Sequence, residues 1–240
     1  MSMKAFKDMG YLYRTSAPLG IYLNYLKSKS RRKNIKIKHN KCKDDFRSSI
    51  QGLCFSNDWF SDNIPYWMNA FEKYFPIDKS LNVLEIGSWE GMSSSFILKT
   101  LPNAVLTCVD TWEGSDENKS QANVNMIETN FDTNIAPFQG RVKKFKGTSL
   151  SFFATCAEKA KFDLIYIDGS HLCDDVIVDA VKGFEQLKVD GLMIFDDYFW
   201  RYYKGIMDNP AAAINAFLKL KLNRSEIISL KNQLIIRKTR

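Results

Sequence analysis

The stretch Leu84-Glu85-Ile86-Gly87-Ser88-Trp89-Glu90-Gly91-Met92-Ser93-Ser94-Ser95 decides how this chain folds. An apolar run ends in an acid, two glycines bracket a short polar turn, and three serines open what reads as a helix. A strand, turn and helix in that order bring backbone N–H groups and hydroxyls to the carboxyl edge of a parallel sheet, and glycine lets a ligand approach the backbone closely. The pattern is not the Gly-x-Gly-x-x-Gly of a dinucleotide fold, because the third glycine is missing and an acid stands two residues before the first. Glu85 and Glu90 would repel a pyrophosphate and attract a cationic group.

Outward from this loop, short apolar runs alternate with helical stretches, the signature of repeated βαβ units. Strands are expected at Asn82–Ile86, Val105–Val109, Arg141–Lys146, Leu164–Ile167 and Leu192–Phe195, with helices at Ile64–Tyr74 and Pro210–Leu220. Glu226–Leu230 and Gln233–Arg237 flank Lys231-Asn232 and read as a closing antiparallel hairpin. The expected fold class is α/β: a Rossmann-like, doubly wound, mostly parallel seven-stranded sheet with a C-terminal hairpin and helices on both faces. Residues 46–240 form the domain and residues 1–45 a basic, partly helical extension.

The cationic ligand that suits the loop is S-adenosylmethionine, which carries an amino group and a sulfonium. Its expected contacts are Glu85, Gly87, Ser88, Glu90, Gly91 and Ser93. Asp110 ends the second strand about 20 residues on, where an acid takes both hydroxyls of a ribose. Trp112 either covers the adenine or packs in the core, and Ser149, after the third strand, is placed to bond the adenine amino group.

At the far strands, Tyr166-Ile167-Asp168-Gly169-Ser170-His171 and Ile194-Phe195-Asp196-Asp197-Tyr198 bring three carboxylates and an imidazole to the same sheet edge. Uncompensated, three carboxylates repel one another. A hard divalent cation relieves them, and an all-oxygen set suits Mg2+ or Mn2+ better than zinc. Asp168, Asp196 and Asp197 are the expected ligands, Asp168 also facing the cofactor. His171 is the expected general base, since imidazole titrates near neutrality and a metal lowers the pKa of a hydroxyl it holds. Cys173 as a nucleophile has only its nearness to His171 in its favour. Trp59, Trp67 and the aromatic loop Tyr198–Lys204 are expected to cover the acceptor or else to pack against the first helices.

Composition sets the frame. The 240 residues include 45% hydrophobic and 25% charged residues, enough for one sizeable domain and an extension. Five scattered cysteines lack a Cys-x-x-Cys pair and read as free thiols in a reducing compartment; with only two histidines, zinc is set aside. Neither a membrane-spanning run nor a cleavable signal is evident, so a cytoplasmic protein, at most peripheral to a membrane, is expected. The net charge of +7 is unevenly spread, because residues 1–43 hold twelve Lys or Arg against Asp8 alone, leaving 44–240 at about −4. There Leu19, Tyr22, Leu23 and Leu26 fall on one helical face before the basic run Lys27 to Lys43. That run reads as a solvated, partly disordered tail, ahead of a membrane-surface or nucleic-acid contact.

From about Asp58 to Lys238 the chain resembles a class I S-adenosylmethionine-dependent methyltransferase. Glu85 to Ser93 has the acid, glycine and serine spacing of the catechol O-methyltransferase-like loop. Ile167 to His171 and Phe195 to Tyr198 are similar to segments of the magnesium-dependent sugar O-methyltransferases of macrolide tailoring. The resemblance implies metal ligation by Asp168, Asp196 and Asp197 and a general base at His171, where catechol enzymes carry lysine; the histidine leans toward sugar acceptors. Asp197 departs from the asparagine frequent in catechol enzymes. The expected activity is O-methylation of a small molecule or glycoside, by a chain that forms a homo-oligomer or acts alone. The rivals are an RNA methyltransferase gripping its substrate through the basic extension, a non-catalytic S-adenosylmethionine-binding scaffold and, disfavoured by the acid before Gly87, a dinucleotide dehydrogenase.

Overall fold

The computed structural model describes residues 3–76, 78–114 and 124–240. In chain order these residues form α1 (Met3–Arg14), α2 (Leu19–Ser49), α3 (Ile64–Tyr74), β1 (Leu81–Ile86), α4 (Met92–Thr100), β2 (Ala104–Asp110), α5 (Ile127–Ile135), β3 (Val142–Lys146), α6 (Ser149–Thr155), β4 (Phe162–Ile167), α7 (Cys173–Gln186), β5 (Leu187–Phe195), α8 (Pro210–Leu220), β6 (Ser225–Leu230) and β7 (Leu234–Lys238). The fold is the expected one, a seven-stranded, mostly parallel Rossmann-like sheet with an antiparallel C-terminal end and helices on both sides. Two compact units divide the chain, Met1–Arg31 with Glu158–Arg240, and Arg32–Ala157.

In the unit Arg32–Ala157 the strand order is β3-β2-β1, all parallel, with Glu85 opposite Cys108 and Asp110 opposite Lys146. Its core is aromatic. Trp67, fully buried, meets Phe60 edge-on at 5.0 Å, and Phe96 of α4 lies 5.4 Å from both Phe46 and Phe60. Such burial of a large ring contributes roughly 3–5 kcal/mol against truncation. Trp67 therefore anchors α3 and does not cover an acceptor, which corrects one of the two places expected for it.

In the other unit the order is β4-β5-β7-β6, with β4 and β5 parallel and the last two strands antiparallel to their neighbours. Strand β5 starts five residues before the expected Leu192. Helix α7 runs straight into it at an already extended Leu187, and Lys188-Val189-Asp190 forms an irregular strand start in which Asp190 takes a φ of 65°. Phe184, Phe195 and Phe217 stack the helix pair α7 and α8 on this half of the sheet, with ring centroids 5.5 and 5.6 Å apart.

Helix α2 extends through the whole basic run to Ser49, where a partly disordered tail was expected. The face assigned to Leu19, Leu23 and Leu26 is the outer one; these residues are exposed, and Ile21 and Tyr25 are buried instead. Polar contacts decide that choice. Tyr25 donates to Asp8 of α1 at 2.8 Å and Ser28 to the Leu230 carbonyl at 2.8 Å, while Leu12 and Ala5 of α1 are also buried.

Candidate active site

The loop after β1 is held from beneath by Asp110 of β2. One carboxylate oxygen accepts the N–H groups of Ser88 and Trp89, each at 2.8 Å, and the other accepts that of Trp112 at 2.7 Å. Trp89 and Trp112 both have left-handed backbones, with φ of 48° and 55°. A non-glycine residue keeps such a conformation only when its surroundings impose it, and here one carboxylate does so for both. Burial pushes the Asp110 carboxyl up, against the pull of these three N–H groups.

Glu85 is fully buried. It accepts the Ser93 hydroxyl at 2.6 Å and that of Ser94, which fastens the end of β1 to the first turn of α4, and burial raises its pKa against the pull of the two hydroxyls. Glu90 is likewise buried and bonds Ser56 through N–H and hydroxyl, and the Asn130 side chain at 2.8 Å. Both acids thus spend their oxygens on protein donors and shape the loop. Gly91, with φ of 82°, sits at the N-cap of α4, and a Cβ there would meet Phe131 and Ile135 at 3.1 Å. The substitution Gly91→Ala is expected to cost about 1–3 kcal/mol, read as a lower midpoint in thermal unfolding; an unchanged midpoint would show that the loop is slack.

Trp112 packs in the core 5.0 Å from Phe131, with the Lys144 ammonium 4.6 Å over its ring and its indole N–H on the Trp89 carbonyl at 2.9 Å. Of the two places given by the sequence, the structure takes the packed one. Ser149 begins α6, half-buried, behind the Thr148 cap. Gly87 continues the ladder with an N–H to the Val109 carbonyl at 2.9 Å. Sequence reasoning missed Asn134, which is fully buried and ties Cys54 to the Glu90 carbonyl; no motif marks it.

In the other unit, β4 delivers Asp168 and His171, and β5 delivers Asp196 and Asp197. His171 Nε2 lies 3.1 Å from Asp197 Oδ2 and 4.0 Å from Asp168 Oδ1. One ligand atom from each of Asp168, His171 and Asp197 lies within 4.8 Å of the other two. Asp196 is differently placed. It accepts Tyr166 and, at 2.8 Å, Gln233 on one oxygen, and the Asp197 N–H at 2.7 Å on the other. The three-aspartate set is therefore divided into two acids that face His171 and one that braces them through Tyr166, whose hydroxyl oxygen also lies 2.8 Å from Asp168 Oδ2. Tyr166 and Gln233 carry no sequence signal, since each reads as an ordinary strand or turn residue. Desolvation and the charges of Asp196 and Asp197 push the Asp168 carboxyl well up, and burial with the Asp197 charge raises Asp196 to about 6. Asp197 has a φ of 51°, a left-handed turn that aims its carboxylate at His171.

The aromatic loop divides too. Tyr198 is fully buried and donates to Asn215 at 2.6 Å, and Phe199 packs on Tyr25 of α2, so these two belong to the core. Trp200 packs at a tilt against the His171 ring at 4.6 Å and stacks on Tyr202 at 5.3 Å. Trp59, half exposed, leans on Trp89. Cys173 begins α7 and, like the other four cysteines, is unpaired.

No helix of the described residues is long and apolar enough to cross a membrane. No curated protein matches the chain in sequence. Among solved structures, the MycE methyltransferase of mycinamycin biosynthesis, in complex with Mg, SAH and mycinamycin VI, aligns at 16% identity and a TM-score of 0.55, over 77% of this chain and 51% of its own. This chain thus spans about half the length of that enzyme. An O-methyltransferase from Bacillus cereus in complex with SAH gives 15% identity and 0.51, over 81% and 96%, and a putative rRNA-methylase from Clostridium thermocellum 12% and 0.53, over 73% and 94%. At these identities the likeness is one of fold. The family model described as a methyltransferase domain matches residues 84–198. That match starts within β1 and closes at Tyr198, so the stretch similar to a methyltransferase domain takes in the loop clamped by Asp110 as well as the acids around His171.

Proposed function

We propose that the chain moves the methyl group of S-adenosylmethionine to a hydroxyl oxygen of a small-molecule or glycosidic acceptor, aided by Mg2+ or Mn2+. The observation that carries this reading is the trio of Asp168, His171 and Asp197, a base flanked by two carboxylates. The cofactor lies on the loop from Glu85 to Ser93, with Gly87, Ser88 and Gly91 giving backbone approach. Asp110 Oδ1, which accepts the Trp112 N–H, is the oxygen that takes a ribose hydroxyl.

Asp168 and Asp197 fit a hard cation, because they converge, repel each other and have oxygens not committed to a full set of protein donors. When bound, such an ion supplies positive charge that steadies an acceptor oxygen as its proton leaves. His171 Nε2 takes that proton, and Asp197 Oδ2 stabilises the resulting imidazolium. The acceptor oxygen then attacks the methyl carbon, the carbon–sulfur bond breaks, and its electron pair stays on sulfur. Trp200, packed against His171, keeps water from one side of the base. The MycE structure holds Mg, SAH and mycinamycin VI, which supports the reading by analogy of fold.

The test is calorimetry with S-adenosylmethionine, with and without Mg2+, followed by a methyl-transfer screen over glycosides, catechols and RNA. NADH binding in place of S-adenosylmethionine would overturn the reading, and turnover confined to RNA would move the acceptor to the basic helix α2. The ion has its own check. At about a hundred times its dissociation constant it should add about 2.7 kcal/mol to the folded state and raise the unfolding temperature by about 5 °C or more. Asp168→Asn should remove most of that rise, and an equal rise in the variant would exclude Asp168 as a ligand.

A further inference from the structure

Beside the Trp200 to Tyr203 stack, within the unit of Met1–Arg31 and Glu158–Arg240, lies a cavity of about 390 Å3 to which no role has yet been given. Lys7 and Arg14 of α1 line it together with Arg201 and Lys204 of the aromatic loop, and Phe6 and Tyr11 add apolar surface. Among the described residues that line it there is no carboxylate. Arg201 is partly neutralised, since it pairs with Asp8 at 3.2 Å and lies 4.2 Å over the Tyr11 ring. Lys7, Arg14 and Lys204 take part in no ion pair among the described residues. Like charges gathered without partners repel and cost stability, so an unneutralised set lining one concavity is most simply explained by an anionic ligand.

The walls are held in shape before any ligand arrives. Asn209, fully buried, accepts the N–H groups of Tyr202 and Tyr203 at 3.0 and 3.2 Å and donates to the carbonyls of Tyr203 and Gly205 at 3.1 and 2.8 Å. Tyr11 joins α1 to this loop through the Trp200 carbonyl at 3.3 Å. Trp200 in turn packs against His171. A ligand in the cavity therefore rests on the same loop that packs the candidate base.

We propose that this cavity is a phosphate-recognition subsite, and that the methyl acceptor carries a phosphate or diphosphate group. Three unpaired cations and the guanidinium of Arg201 exceed what one carboxylate can neutralise, and phosphate oxygens match arginine and lysine donors in number and charge. The volume falls in the range that encloses a small phosphorylated molecule. The proposal depends on the methyl-transfer reading only in calling the ligand an acceptor.

Inorganic pyrophosphate titrated into the full chain by calorimetry is the direct probe. It should bind, and the double variant Lys7→Glu, Lys204→Glu should bind at least tenfold more weakly with an unchanged unfolding temperature, since both positions are exposed. Absence of binding, or equal binding in the variant, overturns the proposal. So does a variant defect seen only with phosphatidylglycerol vesicles and not with pyrophosphate, because the cations would then serve a lipid surface. S-adenosylmethionine is titrated into the same samples. Its binding without pyrophosphate removes the subsite and leaves methyl transfer intact; pyrophosphate binding without it supports the subsite and removes methyl transfer.

Discussion

Alanine in place of His171 is expected to lower kcat by about 10²- to 10⁴-fold, the range lost with a positioned general base, while the dissociation constant for S-adenosylmethionine stays within about twofold. The split follows from where the contacts of His171 go. Its imidazole meets Asp197, Asp168 and Trp200, whereas the loop that carries the cofactor is fixed by Asp110, Glu85 and Glu90. Methyl transfer to an acceptor found in the screen gives kcat, and calorimetry gives the affinity. Added imidazole should restore part of the rate, because the space left by the ring is still flanked by Asp197 and Trp200. The thermal shift produced by Mg2+ separates two roles. A variant without turnover that keeps the shift has lost a base, and one that loses both has lost a ligand. Turnover near that of the parent chain would take His171 out of the chemistry.

How much of this was legible in the sequence depended on whether a local signal and its tertiary partner agreed. Helices α3 and α8 begin and end where expected, because each has a proline in its first turn and a clear apolar period. The N-terminal helix went the other way. Four apolar residues of α2 outnumber Ile21 and Tyr25, and counting alone favours the wrong face. The deciding partners, Asp8 for Tyr25 and Leu230 for Ser28, lie 17 and 202 residues away. The same limit applies at the acid cluster. Sequence brings Asp168, Asp196 and Asp197 to one edge by strand alternation, but three adjacent-looking acids differ only through their hydrogen-bond partners. Tyr166 and Gln233 claim Asp196, and neither residue type advertises that at its position.

Removal of the Asp110 side chain is the other substitution with a large expected effect, and the reason is structural before it is chemical. Its carboxylate takes three N–H groups at 2.7–2.8 Å. A hydrogen bond to a charged group contributes roughly 1.5–3 kcal/mol, and a buried donor left without a partner adds a penalty of its own. The three contacts act as one unit, so they do not add in full; a net loss of about 3–5 kcal/mol is expected for Asp110→Ala, or roughly 10 °C in the unfolding temperature of a chain this size. Trp89 and Trp112 would then be free to leave their left-handed backbones, and the loop would lose the shape that Gly87 and Gly91 permit. Affinity for S-adenosylmethionine should fall at least a hundredfold, from the ribose contact and the collapsed loop together. Asp110→Asn distinguishes the two losses. Its remaining oxygen can keep the paired N–H groups of Ser88 and Trp89, whereas its amide nitrogen would face the N–H of Trp112, donor against donor. That variant should stand between the parent chain and Asp110→Ala in unfolding temperature and yet bind the cofactor almost as poorly as the alanine. Near-parental stability and affinity in Asp110→Ala would show that the loop keeps its shape without the carboxylate, and that the ribose is bound elsewhere.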